Sequence, residues 1–437
     1  MQVGPCLASV PTLLLQFGGA GSWISALMTL GVALLIGRAI TTFASRYVVS
    51  GSLVSYAEIA FGSWGQRVVG VSLMLGYLGV IAMIVNDEIY YLTSLLSETG
   101  FPQATSLPWQ CALSLVASAF SAFFAYRGPD LSARVAGLLA LISLPVIMVV
   151  MLLAFSNHPA GFFDQFNTSK FDAGGILAGA VWGMAIYVGF DGLTSVASDT
   201  VNPRKNVPRI LTYTLLLCGV TWSLGSLLQY SVLAPHMNDI LAGRTAISVL
   251  AAQAGLPGLT AEFDLVVGAS VVASTIAFFN FAARIVATAA QDSMLPASLG
   301  IIDPESHAPR RAILLVGVIG AIVPMLIRLS GAESPIEAIT TLASIVINFW
   351  LLPYFLISLG AILILRRESV ASFAHLMPPA AGALLLILVV AQNFIAREGK
   401  WHMPVIAATI LAVALGLLKL ADRTRQSQEL RMHPSPE

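Results

Sequence analysis

The chain has 437 residues, 57% of them hydrophobic and 10% charged, and its 22 Lys and Arg balance 22 Asp and Glu at a formal net charge of zero. Soluble domains run at about 45–50% apolar and about 25% charged, so a string of soluble domains is excluded. Without a basic surplus to meet phosphates, nucleic acid is excluded as a partner.

Apolar stretches of about 20 residues recur along nearly the whole length, each enough to cross ~30 Å of hydrocarbon as a helix. The alternating ten-residue segments of a membrane β-barrel are missing. The fold class predicted is therefore an all-α polytopic membrane protein, with the lipid bilayer as its medium.

In chain order, a short apolar piece comes first, Cys6 to Leu15. Ten residues rise about 15 Å, half a bilayer. Full spans are predicted at Trp23–Phe43, Val68–Leu92, Leu107–Ala125, Arg134–Phe155, Gly174–Ala197 and Ile210–Leu233. They continue at Asp264–Ala290, Ala312–Ile327, Ile336–Leu365, Leu376–Ala396 and Met403–Leu420. Residues 1–421 thus form one transmembrane domain of eleven full spans plus a half-span, and the polar end at 422–437 reads as a disordered tail. With the C-terminus in the cytoplasm and the sides alternating backward, 17 of the 22 Lys and Arg fall on the cytoplasmic side. That bias predicts a multi-pass protein of the cytoplasmic membrane with a cytoplasmic C-terminus. Cys6, Cys111 and Cys218 lie in apolar segments without metal-ligand spacing and read as packing residues.

The most informative stretch is Val181 to Arg209, VWGMAIYVGFDGLTSVASDTVNPRKNVPR. Its apolar span is interrupted by Gly189-Phe190-Asp191-Gly192. Two glycines within four residues favour local unwinding, and an Asp at membrane depth needs water, a partner or a ligand. Broken helices are how many transporters build a site, since freed carbonyls bind cations and freed N–H groups bind anions. The other reading of the same residues is a close helix contact through glycine beside a protonated Asp.

The run ending D-T-V-N-P-R-K-N-V-P-R resembles the sixth span and following loop of the amino acid–polyamine–organocation transporter superfamily. Arg46 to Gly62, RYVVSGSLVSYAEIAFG, is similar to that family's loop into the third span. Asn280 to Pro296, NFAARIVATAAQDSMLP, is similar to the end of its eighth. The match is collinear from about Gly4 to at least Pro309. It implies a LeuT-like five-plus-five inverted repeat with two extra C-terminal spans, and a substrate held between broken spans 1 and 6. Carried over, the substrate amino group would meet the carbonyls of Tyr187, Val188 and Gly189. Phe190 would be an occluding ring and Asp191 a coupling or cation-facing acid. Against the family pattern, Met1 falls about at the break of the first span, so the inner half of that span is expected to be missing. Gly4, Ala8 and Ser9 would then sit at the start of the outer half-helix, where unpaired N–H groups favour a carboxylate.

Other polar residues carry weaker signals. Asn86, Asp87 and Glu88 lie toward the outer end of the third span; either the acids sit at headgroup level or Asn86 lines an outer vestibule. Ser274 and Thr275 in the eighth span read either as packing hydroxyls or as coupling residues that help to hold sodium. Asn348 is a candidate cavity residue on polarity alone. Asp199 with Arg204 to Arg209 reads as an inner gate loop or as a solvated basic loop. No catalytic constellation, cofactor or metal is expected: the six histidines are scattered, and no phosphate-cradling loop follows a strand. The expected function is secondary active transport of amino acids or related amines by alternating access, driven by exchange or by H+ rather than Na+. Asp191 is the favoured titrating group, because a carboxyl removed from water favours its neutral form. The alternative is a non-transporting sensor or interaction subunit that keeps the fold.

Overall fold

Inside hydrocarbon each backbone N–H and C=O must find a partner close by, and the described residues meet this demand with helices alone. The structure is a computed structural model that describes residues 3–49, 51–292, 294–332, 335–369, 372–395 and 402–432. The first half of the chain forms α1 (Val3–Gly18), α2 (Ser22–Ala44), the short α3 (Ser52–Phe61), α4 (Ser63–Glu98), α5 (Leu107–Tyr126) and α6 (Pro129–Asn157). The second forms α7 (Ala173–Tyr187), a 3-10 helix (Phe190–Asp199), α8 (Pro203–Leu233), the short α9 (Met237–Leu241) and α10 (Ala246–Gln253), α11 (Thr260–Gln291), α12 (Arg310–Leu329) and α13 (Pro335–Arg367). Two more follow, α14 (Phe373–Ile395) and α15 (His402–Met432). One order of elements thus occurs twice: a short or broken helix, a long one, short connecting helices, then three long ones. Eleven helical stretches among the described residues are long and apolar enough to cross a bilayer, α1 and α2 together making the first. The chain is a multi-pass membrane protein.

α1 is longer than the apolar piece Cys6–Leu15, at 16 residues or roughly 24 Å. Pro11 sits inside it and has no N–H to give to the carbonyl of Leu7, one turn back. Gln229 of α8 replaces that donor, its Nε2 reaching the Leu7 oxygen at 2.8 Å. At the other end, α15 runs on to Met432, so residues 422–432 are helical where the sequence suggests a disordered end; no Gly or Pro interrupts 421–432. Residues 433–437 of that tail lie outside the described residues.

Lipid tails compete with apolar side chains for apolar neighbours, so helices hold one another through small residues and hydroxyl–carbonyl bonds. α2 grips α7 in this way: Ser25 donates to the carbonyl of Ile176 at 2.8 Å and Thr29 to that of Ala180 at 3.1 Å. Gly179 and Gly183 make room, since a Cβ at either would collide with Ser25 or Thr29. α5 grips α12 likewise, Ser114 donating to Ala321 and Ser118 to Gly317, both at 2.7 Å. α4 receives α13: Ser72 donates to Phe349 at 2.8 Å, and Gly76 lies so close to the Trp350 indole that a Cβ would stand 2.7 Å from its nitrogen. These contacts fix α4, α7 and α13 around the break between α7 and the 3-10 helix.

Candidate substrate cavity at the broken helix

The break is written into four residues. α7 ends at Tyr187, Val188 is extended (φ −57°, ψ 141°) and Gly189 is left-handed (φ 88°) before the 3-10 helix begins at Phe190. Gly189 is required twice over, by its φ and because a Cβ there would stand 3.2 Å from the ring of Phe278. A 3-10 run of ten residues is long for a geometry that rarely exceeds three or four. Hydroxyls brace it: Thr194 donates to the carbonyl of Asp191 at 2.7 Å and Ser195 to that of Gly192 at 2.6 Å. From α3, Ser52 shares a hydrogen bond with Thr194 at 2.7 Å and approaches the Asp191 carbonyl at 3.3 Å.

Beside the break lies a cavity of about 90 Å³, walled by α1, α4, α7, α11, α13 and the first residue of α10. Most of its lining is aliphatic. The polar exceptions on α1 are Ser9 and Thr12, on α4 Asp87, Tyr90 and Tyr91, and on α11 Ser274. The Thr12 Oγ1 and the Tyr91 hydroxyl are buried without a hydrogen-bond partner among the described residues. Tyr90 instead donates to the carbonyl of Arg244 at 2.7 Å, tying α4 to the loop before α10.

Phe278 closes one side of the cavity and begins a chain of rings. Its centroid lies 6.3 Å from Tyr77, Tyr77 lies 4.6 Å from Trp350, and Trp350 lies 5.9 Å from Tyr354. Tyr354 in turn lies 5.3 Å from Phe190. Asp191 sits at the far end of this chain. It is 1% exposed, its Oδ1 accepts the Tyr354 hydroxyl at 2.9 Å, and its Oδ2 has no hydrogen-bond partner among the described residues. Along α13, Tyr354 is fifteen residues beyond the cavity-lining Ile339, a rise of roughly 22 Å. Asp191 does not line the cavity, although Val188 three residues before it does, and it stands at the end of the ring chain away from Phe278.

A family model described as amino acid permease matches residues 4–415, nearly the whole chain. The chain belongs to the amino acid permease family. Through it the chain is a member of the amino acid–polyamine–organocation superfamily, and the match continues well past Pro309. The chain is 22% identical over 366 residues to the branched-chain amino acid permease BcaP of Bacillus subtilis, covering 80% of this chain and 75% of the relative. It is 23% identical over 343 residues to the methylthioribose transporter of the same organism, covering 75% and 69%. Cationic amino acid transporter 4, vacuolar, of Arabidopsis thaliana is 26% identical over 292 residues, covering 64% of this chain and 48% of the relative. The family and these relatives are transporters, not enzymes.

Within this permease fold the residues singled out from the sequence separate into groups. Ser9, Val188 and Ser274 line the cavity. Ala8 is fully buried in the core beside Ser9, and Gly4 lies in the first turn of α1. The side chain of Tyr187 turns toward α8, its ring edge-on to Trp222 at 4.7 Å. Gly189, Phe190 and Asp191 belong to the aromatic wall, and the Gly189 carbonyl already accepts the Gly192 N–H at 3.0 Å. Ser274 and Thr275 each give a hydroxyl hydrogen bond to the carbonyl one turn back, at Ser270 (3.2 Å) and Val271 (3.0 Å). Asn348 likewise bonds back to Ser344 at 2.7 Å. Asn86 is fully buried and donates to the carbonyl of Pro335 at 2.7 Å, fixing the start of α13 instead of facing the cavity. Glu88 is 1% exposed between α4 and α5, where Ser121 donates to it at 3.3 Å. Arg204, Lys205 and Arg209 occupy the first turns of α8.

Sequence reasoning passed over Asp87 as a wall residue, and over Tyr77, Trp350 and Tyr354. A signal for Asp87 was present: Val80, Met83, Ile84, Asp87, Tyr90 and Tyr91 share one helical face, and all six line the cavity. It also passed over Asp264, which binds three hydroxyls, those of Ser94 (2.5 Å), Thr245 (2.5 Å) and Ser248 (3.0 Å). Through them α4, α10 and α11 are fastened together over the cavity.

Proposed function

We propose that this chain is a secondary transporter that carries amino acids or related amines across the cytoplasmic membrane by alternating access at the cavity beside Gly189. The observation that carries this reading is an apolar cavity, beside a helix break, whose few polar groups include two without hydrogen-bond partners among the described residues, Thr12 Oγ1 and the Tyr91 hydroxyl. An amino acid brings one cationic, one anionic and one side-chain group to such a site. The C-terminal end of α7 directs unpaired carbonyls and the negative end of its dipole toward the break, which suits an ammonium group. In this reading the carbonyls of Tyr187 and Val188, with the Asp87 carboxylate, receive the amino group. The substrate carboxylate faces α1, where Ser9 and Thr12 offer hydroxyls and the first turn, at Gly4, offers N–H groups. The aliphatic wall takes the side chain. Relatives named for branched-chain and for cationic amino acids support an amino acid substrate.

Transport then requires the rings of Tyr77, Phe278, Trp350 and Tyr354 to part, with Phe190 as the neighbouring ring on the broken span. Two halves of the bundle related as inverted repeats would rock about the cavity to do this. Asp191, beyond the rings, takes up and releases the coupling proton as water gains and loses access to it. Ser274 and Thr275 are the groups that sodium would use instead.

The test is uptake of a labelled amino acid and amine panel into proteoliposomes holding the full chain, with and without an imposed proton gradient. Saturable uptake of one class, enhanced by the gradient, is the expected result. Binding of that class without uptake would favour a non-transporting sensor, and folded protein that neither binds nor moves any of the panel would overturn the proposal.

A further inference from the structure

A second cavity, of about 250 Å³, opens at the end of the bundle where α2, α8, α13 and α14 meet. Its floor is apolar, formed by Pro208, Leu365, Pro378 and Pro379, and three basic side chains, Arg38, Arg46 and His375, surround it. Arg46 is held in place: its Nε pairs with Glu368 at 2.6 Å and its Nη1 donates to the Thr42 carbonyl at 2.9 Å. His375 is oriented by Ser372, whose Oγ lies 2.6 Å from its Nδ1. Arg38 is exposed and makes no ion pair among the described residues. A guanidinium without a counter-ion beside a second, positioned one is an anion site, and its planar fork matches a phosphate best.

The surface leading away from the cavity says what carries that phosphate. Leu27, Gly31 and Arg38 follow one face of α2 and all are exposed, so Arg38 ends an apolar strip. Eleven residues separate Leu27 from Arg38, roughly 16 Å, about the depth of one leaflet of a ~30 Å hydrocarbon core. α8, packed beside α2, presents a parallel strip of Ile210, Tyr213, Leu217, Val220 and Leu224, each at least 44% exposed. A free phosphate has no use for such strips; two acyl chains do. We infer that this cavity is a binding site for the phosphate headgroup of an anionic phospholipid, its chains lying along the exposed faces of α2 and α8. The ligand would join α14 to α2 and α8. This site is independent of the substrate cavity and of the transport reading.

The full chain in detergent would be titrated with phosphatidylglycerol or with phosphatidylcholine of the same acyl chains. Retained lipid is counted by native mass spectrometry, and unfolding temperature is measured with each lipid and with sodium phosphate alone. Phosphatidylglycerol should be retained over phosphatidylcholine and should raise the unfolding temperature. Arg38→Gln should weaken phosphatidylglycerol about fivefold, the equivalent of about 1 kcal/mol for one basic residue near an anionic lipid, and leave phosphatidylcholine unchanged. Arg204→Gln, at the exposed start of α8 outside the cavity, should change neither. Should Arg38→Gln not fold, His375→Glu at an exposed position should abolish the preference by adding a negative charge. Equal retention of the two lipids would overturn the inference, as would unchanged binding in the folded variants. Stabilisation by sodium phosphate as large as that by phosphatidylglycerol would also overturn it, by making the ligand a free anion.

Discussion

Tyr354 on α13 gives its hydroxyl hydrogen bond to Oδ1 of Asp191 at 2.9 Å, while Oδ2 of the same carboxyl has no hydrogen-bond partner among the described residues. A buried acid satisfied on one oxygen only is a group whose environment must change when it changes charge. Ser52 of α3 approaches the backbone carbonyl of Asp191 at 3.3 Å and Phe190 packs on Tyr354, so the change would reach both the loop helix and the broken span. If Asp191 carries the coupling proton, Asp191→Asn should abolish accumulation driven by a pH gradient and leave exchange partly intact. Tyr354→Phe removes one hydrogen bond to a carboxyl, worth about 1.5–3 kcal/mol, and should slow gradient-driven uptake by ten- to a hundredfold with a smaller effect on exchange. Proteoliposome uptake with and without the gradient separates the two modes; equal loss of both in Asp191→Asn would count against a coupling role.

Gly189→Ala tests the break itself. The left-handed backbone at φ 88° would cost an L-residue roughly 1–2 kcal/mol, and the new methyl must also displace the Phe278 ring. Unfolding temperature in detergent should fall and uptake should be lost. Phe278→Leu in the same chain should recover part of the stability, because it removes the ring that the methyl meets. A Gly189→Ala protein as stable and active as the parent would mean that the break is not needed in this conformation.

The pair Gly189 and Gly192 made the break legible, because nothing in the residues around an apolar span favours unwinding as strongly as two glycines and an acid. The apolar, all-helical character of the spans was equally legible, since hydropathy acts locally along the chain, whereas the short helices α3, α9 and α10 between them were not. What surrounds the break was not. Tyr77, Phe278 and Trp350 come from helices far apart in sequence, and each alone is an ordinary aromatic in an apolar run. Asn86 and Asp87 are neighbours, yet one step of 100° around α4 sends the first to the Pro335 carbonyl and the second to the cavity. A single sequence shows the helical face but not which way it is turned. Pairings such as Gln229 with Leu7 were hidden for the same reason, although Pro11 announced that a carbonyl would need a donor from elsewhere.

A polar corner outside the spans offers a pH-dependent test. Asp303 accepts hydrogen bonds from the backbone N–H and the hydroxyl of Ser306, each at 2.8 Å, and pairs with Arg310 at 2.9 Å. The Ser306 bonds, with Arg310 as a smaller contributor, hold its carboxyl below the ordinary 3.8. A lowered carboxyl contributes stability that is present above the unfolded value and lost as pH falls through the folded one. The unfolding temperature should therefore drop as pH falls through and below the ordinary carboxyl value of 3.8, and by less in Asp303→Asn, which has no charge to lose. Identical pH profiles for the two proteins would show that the corner contributes nothing. Gly128 belongs to the same corner: its φ is 117° and a Cβ would stand 2.8 Å from the Ser306 carbonyl oxygen, so Gly128→Ala should destabilise at every pH.

The bond between Gln229 and the Leu7 carbonyl makes the sharpest stability test, because its cause can be reversed. Gln229→Leu keeps the volume and removes the donor, leaving a buried carbonyl without a partner at a cost of about 1–3 kcal/mol. The carbonyl is open only because Pro11 stands one turn later with no N–H. Pro11→Ala supplies that N–H from within the helix. In the Pro11→Ala background Gln229→Leu should therefore be far less damaging, and the double variant should unfold at a higher temperature than Gln229→Leu alone. Such non-additivity is expected of two groups that serve one acceptor and not of two independent packing losses. Additive losses in the cycle would mean that Gln229 stabilises the junction of α1 and α8 by filling space, and that the Leu7 carbonyl finds its partner elsewhere.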